Sequence, residues 1–464
     1  MRNRVPDSGS PDVFRMAMNS ISKKVRRDEP TKRLVFLCGV SAFTKEPFNL
    51  FMKGPSSIGK SFLIRHCLKF FNPMHVWYLG GMSPTSIYHE YGYWEDEEGV
   101  IDVTSFRTRD ELRELKERLV NAKYVVDMSN KIVAFLEAPH PETMLKLRPI
   151  LSHDVDEIQY KFTNRELGLV TSTVTVRGWP AAIFATTEAK YIEDLATRGF
   201  TVTPEMSDAK YREALGVIAE DMRKPVRLSK EEVEVKLSLS GMLEDPLDVL
   251  IPFSSELADR YPSTLPRDMR DFKRILLALK SLVLVRRNLR YRVALSDEHG
   301  VEEYLLATLG DLMELKPILE YVEETTRKGL PMNVLLFYKN VLLRLARESG
   351  RETFSYEELA NKYAEVFERR ITKTTVRINY VEPLRIAGLV DVEPDPSDKR
   401  RNIVEVLVLE EMPVTRALLE IRYPEESFKS WIRMLEEEGF KVEFRNPQGE
   451  PCDYTEAYRS VAQL

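Results

Sequence analysis

The sequence predicts an α/β protein with a winged helix-turn-helix module near its C-terminus, and three observations indicate this class. Short apolar runs alternate with helical patterns through the first half of the 464 residues. A glycine-rich motif stands between one of these runs and the helix that follows it. From residue 331 onward the patterns read helix, helix, helix, strand, turn, strand. Alternating strands and helices are typical of a parallel sheet with helices on both faces, so we expect a three-layer domain in the first half.

The composition is that of a globular protein, with 43% hydrophobic and 30% charged residues and a formal net charge of −5. Any binding of nucleic acid must therefore depend on local basic patches. Cys38, Cys67 and Cys452 lie far apart and lack metal-binding spacing, which favours a reducing compartment. No apolar run approaches the length of a membrane span, and the N-terminus has no signal-peptide core. We expect a cytoplasmic protein without a membrane partner.

The glycine-rich motif is the segment 54–61, which reads Gly-Pro-Ser-Ser-Ile-Gly-Lys-Ser after the apolar run 48–52. It matches the phosphate-binding loop pattern, with a strand before it and a helix after it. Its backbone N–H groups can surround an anion, and the helix directs its positive end at the same place. Lys60 can reach the β- and γ-phosphates, and Ser61 can hold Mg²⁺. The residues predicted to bind ATP are Gly54, Ser56, Ser57, Ile58, Gly59, Lys60, Ser61 and Phe62.

Two later apolar runs, 131–136 and 181–185, predict buried strands that end in polar residues. Glu137 follows the first run, and its carboxylate can polarise an attacking water. Thr186 follows the second run and is the predicted sensor of the γ-phosphate, with Thr187 as the alternative. In P-loop proteins that hydrolyse nucleotides, the residue before this glutamate is usually a second acid, whereas here it is Leu136. We therefore expect Mg²⁺ to be held by Ser61, the phosphates and waters.

Two arginines are predicted to respond to the nucleotide. Arg198 precedes the strand-like run 201–203, and its guanidinium suits the stabilisation of γ-phosphate charge in a neighbouring subunit. This role requires an oligomer. Arg270 begins the first helix of a predicted helical lid and is the expected second sensor, with Arg267 and Arg274 as alternatives.

The predicted contacts with DNA lie in two places. Strand-like runs at 157–163 and 171–177 surround a polar turn with Gly168 and predict a β-hairpin just before the sensor strand. In the C-terminal module, helices are expected at 334–349, from 353 and at 373–387, and strands at 389–392 and 403–408. Basic residues in the hairpin, at the start of the third helix and at the tip of the wing are expected to contact DNA; they are Lys161, Arg165, Arg177, Lys373, Arg377, Lys399, Arg400 and Arg401.

The predicted organisation has five parts. Residues 1–32 form an N-terminal tail and helix, and residues 33–255 form the ATPase core. A helical lid covers 256–330, with helices at 268–284, 304–315 and 316–327. The winged module covers 331–410, and a small extension with one amphipathic helix at 428–437 covers 411–464.

In this order, the segments resemble the AAA+ helicase ATPases carried by plasmids, viruses and integrated mobile elements, in the clade of the MCM and superfamily 3 helicases. The resemblance covers about residues 33–410, and the residues that carry it are 54–61, 80–84, 135–137, the hairpin, 185–187, 197–198 and 270–272. It implies a homo-oligomeric ring, expected to be a hexamer, that hydrolyses ATP with Mg²⁺. The hairpin would then face single-stranded DNA in the central channel, with duplex DNA possible at the winged module. Two alternatives remain open: an origin-recognition initiator that uses ATP as a switch, and a regulatory ATPase whose winged module contacts protein.

Overall fold

A computed structural model gives the structure of the chain. It describes residues 11–82, 92–103, 108–137, 139–152, 155–164, 170–187, 198–223, 225, 227–244, 246–261, 268–322, 332–386, 389–394, 402–407 and 418–463. Some of the predicted features lie outside these residues: Arg165, the turn with Gly168, Lys399, Arg400, Arg401 and the alternative sensor Arg267.

The centre of the protein is a sheet of five parallel strands, here called the main sheet. We number its strands one to five along the chain: Asn49–Lys53, Val76–Leu79, Ile132–Phe135, Ala181–Thr186 and Gly199–Val202. Their order across the sheet is five, one, four, three, two. Because all pairs are parallel, the strands end together at one edge, the carboxyl edge, and start together at the opposite amino edge. The α/β class and the predicted positions of strands one, three and four are confirmed.

Three buried phenylalanines stack across the main sheet and fix its register. Phe51 pairs with Phe184, and Phe184 pairs with Phe135. The ring centroids lie 5.1 Å and 4.6 Å apart, with planes 9° and 5° from parallel. A slip of one residue would turn these rings to the opposite face of the sheet, so the stack specifies which residues meet at the carboxyl edge.

Helices cover both faces of the main sheet. On the face with Leu50 and Ile183, a large core includes residues of the helices Val13–Lys24, Glu29–Ser41, Lys60–Leu68, Lys230–Glu244 and Asp268–Val285. On the face with the stacked phenylalanines, the helix Pro141–Ser152 contributes Met144, Leu147 and Ile150 to a second core. The side chains alternate between the two cores along each strand, as expected for a sheet buried on both faces.

A second sheet extends the main sheet beyond its amino edge. Its strands, in spatial order, are Gly99–Ile101, Tyr93–Asp96, Lys123–Asp127, Val170–Arg177 and Glu157–Asn164. The last two are antiparallel, which confirms the predicted hairpin. The hairpin is part of this larger sheet, because Val170–Arg177 also pairs in parallel with Lys123–Asp127. These two parallel strands lead through short turns into strands four and three of the main sheet.

Gly178 lies where the hairpin passes into strand four, and its position requires glycine. Its φ of 72° is in the left-handed region, and an added Cβ would lie 2.0 Å from Ser129 Oγ and 2.8 Å from Ser129 N. The two turns that lead into strands three and four are therefore in direct contact at this point.

The predicted lid is wrong in one respect, since residues 304–315 are not one helix. The strands Arg292–Asp297 and Gly300–Leu306 form a hairpin in a third sheet, whose further strands are Asp248–Leu250, Lys441–Arg445 and Pro451–Cys452. Asp297 Oδ1 accepts the N–H groups of His299 and Gly300 and closes the turn. The short helix Leu309–Glu314 begins only after Thr308, which caps it. The C-terminal strand pairs directly with Arg292–Asp297, so this sheet includes residues of both the lid and the C-terminal extension.

The C-terminal module has the three predicted helices and the two predicted final strands, but residues 353–355, predicted to open the second helix, form a strand, and that helix begins at Tyr356. Its helices cover 332–349, Tyr356–Phe367 and 373–386, and the first and third contain a π-helical turn. Its three strands are Thr353–Ser355, Val390–Pro394 and Asn402–Val406, with the last in the middle. Ser355 and Glu358 form the predicted capping box. The remaining helices are Arg109–Asn121, Asp208–Arg223, Ser254–Arg260, Lys316–Val322, Glu425–Glu437 and Tyr454–Val461. None of the helices in the described parts of the chain is long and apolar enough to cross a bilayer.

Candidate functional site

The phosphate-binding loop leaves strand one at the carboxyl edge and has the backbone of an anion cradle. Gly54, Ser57 and Gly59 have φ values of 147°, 67° and 90°. An added Cβ on Gly54 would lie 2.4 Å from Ile58 Cδ1, so the loop closes tightly on itself. The space beside Gly59 is open, with no heavy atom within 4 Å of an added Cβ. Successive N–H groups in such a turn, followed by a helix, favour a phosphate group.

Lys60 begins the helix after the loop, and its amine bends back across the loop. Its Nζ donates hydrogen bonds to the carbonyl oxygens of Gly54 and Pro55, both at 2.6 Å. Partial burial lowers the pKa of Lys60. Charged phosphate oxygens are stronger acceptors for an ammonium than these carbonyls, so the residues present fit a triphosphate at this position. Ser61 follows in the first turn of the helix and is partly exposed, as a ligand for a nucleotide-bound Mg²⁺ must be.

The register of the main sheet aligns the loop with both predicted polar residues. Lys53, the last residue of strand one, pairs with Thr186 at the end of strand four. Glu137 is two residues beyond Phe135, as Thr186 is two beyond Phe184, so it continues the same row. Thr186 is buried and its carbonyl accepts Gly54 N–H at 3.1 Å, whereas Thr187 and Glu137 are exposed. With strands about 4.8 Å apart, the three residues span about 10 Å beside the loop.

Arg198 lies at the other edge of the main sheet. It directly precedes strand five, and its carbonyl accepts a hydrogen bond of 3.3 Å from Asn49 Nδ2, at the start of strand one. Strand one has five residues, so the two edges are separated by roughly 15 Å. The backbone of Arg198 therefore lies far from the loop of its own protomer, and its action in a neighbour stays a prediction.

Arg270 is exposed near the start of the helix Asp268–Val285. One turn later, Lys273 Nζ lies 2.7 Å from Glu46, which precedes strand one. The start of this helix is therefore near the amino edge, and a contact between Arg270 and the loop of its own protomer has no support. The alternative Arg274 is buried, with its guanidinium 2.6 Å from Asp271, so it serves the packing of the helix.

The hairpin projects beyond the second sheet. Strand Lys123–Asp127 pairs with the hairpin only from Val174 to Arg177. That strand starts at Lys123, level with Thr173, so the three rows from Phe162 and Ser172 to the turn extend past it, by about 10 Å. Lys161 is exposed at the base of this projecting half.

Arg177 is at the base of the hairpin, and its charge is already neutralised. Its guanidinium lies 2.7 Å from both Glu95 and Glu157 and donates to Tyr93 Oη at 3.2 Å. The hydrogen bonds that Arg177 donates to Glu95 and Glu157 raise the pKa of Arg177, and the bond to Glu95 lowers the pKa of Glu95. Arg177 was predicted to offer its charge to a DNA backbone. In the structure it instead joins three strands of the second sheet through these acidic and tyrosine partners.

In the winged module, the third helix presents both predicted residues on its surface. Lys373 Nζ pairs with Glu357 at 2.5 Å, so its charge is shared with the preceding helix. Arg377 is exposed one turn later. Glu382 and Arg385 form a further pair on the same helix at 2.6 Å. Two of the basic residues on this helix, Lys373 and Arg385, are therefore paired with acidic side chains.

Sequence reasoning missed a buried ion pair behind the loop. Arg27 and Asp28 have φ values of 54° and 55°, and this left-handed turn carries the carboxylate of Asp28 inward. Lys210 Nζ lies 2.5 Å from Asp28 Oδ2 and donates to Glu205 O at 3.0 Å and to Ile58 O at 3.4 Å. Burial raises the pKa of Asp28 in spite of this partner. The sequence around Lys210 has an ordinary helical pattern, which does not predict a buried ion pair with Asp28.

A second contact that was missed joins the lid helix Lys316–Val322 to the segment after strand five. Tyr321 Oη accepts Thr203 N–H at 2.6 Å and donates to Thr203 O at 2.5 Å. An added Cβ on Gly54 would lie 3.7 Å from Thr203 Cγ2, so this contact adjoins the loop. The helix Lys316–Val322, which belongs to the predicted lid, is thereby tied to the segment beside the candidate nucleotide site.

Among the described residues, no group of three or more histidine, cysteine, aspartate or glutamate side chains is arranged to hold a metal ion. The chain matches no family model, and a comparison with curated proteins finds no match.

Proposed function

We propose that the chain is an ATP-driven DNA helicase or translocase of the AAA+ class that works as a homo-oligomeric ring, expected to be a hexamer. The observation that carries the proposal is the pairing of Lys53 with Thr186 beside the predicted phosphate-binding loop, with Glu137 two residues past the end of the adjacent strand three. An exposed carboxylate and a buried threonine at adjoining strand ends suit hydrolysis of a phosphate bond held by the loop. A loop that only held a phosphate would need neither residue.

Each side chain at this site has a separate task. Lys60 and the loop N–H groups hold the β- and γ-phosphates and balance their charge. Glu137 orients the attacking water and takes its proton as the bond to phosphorus forms. Thr186 offers a hydroxyl to the γ-phosphate or to that water. Mg²⁺ supplies further positive charge to the phosphates, and Ser61 is the residue that would hold it.

The two arginines give the reason for an oligomer. Arg198 and the start of the helix with Arg270 both lie near the amino edge, whereas the loop is at the carboxyl edge. An arginine that stabilises the γ-phosphate must then come from an adjoining protomer. Contacts between two different faces of identical subunits are heterologous, and they close into rings when the rotation permits.

Strand four supplies a physical link between hydrolysis and DNA. Its last residue, Thr186, adjoins the loop, and its first residue follows the hairpin by only three residues, 178–180. Main-chain contact at Gly178 ties this passage to the turn before strand three, which carries Glu137. A shift at the γ-phosphate would therefore be transmitted through two adjacent strands to the projecting half of the hairpin, where Lys161 would hold a DNA phosphate.

The origin-recognition initiator remains the second candidate, and one observation favours it. Arg377 is exposed on the third helix of the winged module, the element that enters a DNA groove in related motifs. An initiator would bind duplex DNA through this helix and use ATP only to change its state. It would not separate strands.

Steady-state ATPase activity with and without single-stranded DNA tests the proposal. We expect DNA to stimulate the wild-type protein and not the Lys161→Ala/Arg165→Ala variant, whose basal rate should be unchanged. Lys230→Ala is the matched control, because Lys230 is an exposed lysine at the start of a helix that packs into the large core, whereas the hairpin packs into the second core. Equal stimulation of all three proteins would contradict a role for the hairpin in moving DNA, and absence of any ATPase activity would contradict the proposed function itself.

A further inference from the structure

The helix Asp208–Arg223 exposes an apolar stripe that no described side chain covers. Tyr211, Leu215, Ile218 and Met222 follow a spacing of four, three and four residues, which places them on one face. Their exposed fractions are 41%, 66%, 54% and 84%. By contrast, this 16-residue helix buries only Lys210 and Val217 among its described side chains.

Ion pairs, rather than apolar packing, attach this helix to the rest of the protein. Asp221 pairs with Lys24, Glu213 lies 3.0 Å from Arg27, and Lys210 pairs with Asp28. A helix normally gains its stability from burying an apolar face. Here the apolar face points away from its own protomer, which is typical of a surface that another molecule covers.

The position of the stripe indicates what covers it. Lys210, one residue before Tyr211, donates to the Ile58 carbonyl of the phosphate-binding loop at 3.4 Å. The stripe therefore starts beside the nucleotide site, on the side of the protomer that must receive a neighbour's arginine if Arg198 acts between subunits.

The opposite side of the protomer offers a counterpart. Met269 is 76% exposed and directly precedes Arg270, near the amino edge. A second copy that brings this edge to the loop would carry an apolar side chain and two arginines to the region where the stripe begins. A polynucleotide would instead require basic residues along the stripe, and the stripe itself is uncharged.

We propose that Tyr211, Leu215, Ile218 and Met222 form the nucleotide-side half of a heterologous contact with a second copy of this chain. The inference rests on the proposed function, because it assigns a surface to the contact that the two arginines require. Through Lys210 and Ile58, the same helix connects that contact to the phosphate-binding loop. Association and nucleotide binding are therefore coupled.

Sedimentation velocity with Mg²⁺ and a non-hydrolysable ATP analogue tests the inference on the full chain. We expect the wild-type protein to associate and the Leu215→Ser/Ile218→Ser variant to remain monomeric at tenfold higher concentration. A control variant, Val301→Ser/Met434→Ser, removes two other exposed apolar side chains in the third sheet and the C-terminal helix and should associate like the wild type. Binding of a fluorescent ATP analogue and thermal melting of each variant show whether the fold and the loop are intact.

The possible results separate the inference from the proposed function. If the stripe variant binds the analogue, melts normally and still forms the wild-type oligomer, the stripe is not the contact, while the proposed ring stands. If the wild type binds the analogue and stays monomeric at every concentration, the ring and the stripe contact are both wrong. The inference is supported if only the stripe variant fails to associate and its isolated protomer still binds the ATP analogue.

Discussion

Mixing two inactive variants gives the sharpest prediction about the site. Lys60→Ala removes the amine that reaches into the loop, and Arg198→Ala removes the guanidinium at the amino edge. Because roughly 15 Å of sheet separates the two edges, one protomer cannot complete its own site with both residues. Each variant alone should have almost no ATPase activity. The Arg198→Ala variant should still bind ATP, with a turnover about 10³-fold or more below the wild type.

The expected recovery follows from the heterologous geometry. In a random equimolar mixture, a site is complete when its loop comes from the Arg198→Ala protein and its arginine from the Lys60→Ala protein. Each condition holds for half of the protomers, so about a quarter of the sites are complete in an assembly whose subunits meet through two different faces. If the sites turn over independently, the mixture should reach about a quarter of the wild-type rate.

The assay is phosphate release at constant total protein after the two variants are co-incubated under conditions that allow subunit exchange. The control replaces the Arg198→Ala protein with the Lys60→Ala/Arg198→Ala double variant, which supplies no intact loop and should restore nothing. Wild-type ATPase activity in the Arg198→Ala protein alone would refute the assignment of Arg198. A mixture that remains inactive although exchange is verified by labelled subunits would refute a site shared between protomers.

Three further predictions concern single residues. Glu137→Gln should lower the ATPase rate by about 10²–10⁴-fold and leave ATP affinity unchanged, as measured by steady-state kinetics and analogue binding; an unaffected rate would remove the assignment of Glu137 as the base. Gly178→Ala should lower the Tm by about 4–8 °C, because Gly178 has a left-handed φ and lies in close contact with the main chain of Ser129. The control variant Gly216→Ala, on an open helix surface, should keep or raise the Tm. Equal Tm values for the two variants would contradict the close contact. Burial alone would raise the pKa of Glu232, but hydrogen bonds led by that from Lys69 lower it from 4.5 to about 2. This depressed pKa contributes about 1–2 kcal/mol of stability that is fully present above pH 4.5 and lost as the pH falls toward 2. The difference in unfolding free energy between wild type and Glu232→Gln should therefore shrink over this range, and a constant difference would show that the carboxylate charge is not the cause.

Local patterns in the sequence predicted much of the fold. The apolar runs of strands one, three and four, the loop and the Ser355–Glu358 capping box each depend on residues close together in the chain. The strand Gly300–Leu306 was mistaken for part of a helix, because its state depends on pairing with Arg292–Asp297 in a sheet that also includes the distant strand Lys441–Arg445.

The candidate site could also be predicted where its residues are contiguous in the chain, and not where it depends on contacts between distant segments. The loop could be predicted residue by residue, since its motif is contiguous. The alignment of Thr186 and Glu137 with Lys53 depends on the register of three strands, which the stacked phenylalanines determine. The ion pair of Lys210 with Asp28 depends on a left-handed turn and on contacts between segments about 180 residues apart. Neither the neutralisation of Arg177 nor the position of Arg270 at the amino edge can be read from spacing alone.

A strand-displacement assay distinguishes the proposed helicase from the initiator. The protein is incubated with ATP, Mg²⁺ and a forked DNA duplex that carries a fluorescent label on one strand, and release of that strand is followed over time. We expect the wild type to release the labelled strand only with ATP, and Glu137→Gln to release none. Both proteins should bind ATP normally. ATP hydrolysis and DNA binding without any strand release would contradict the helicase assignment and favour the initiator.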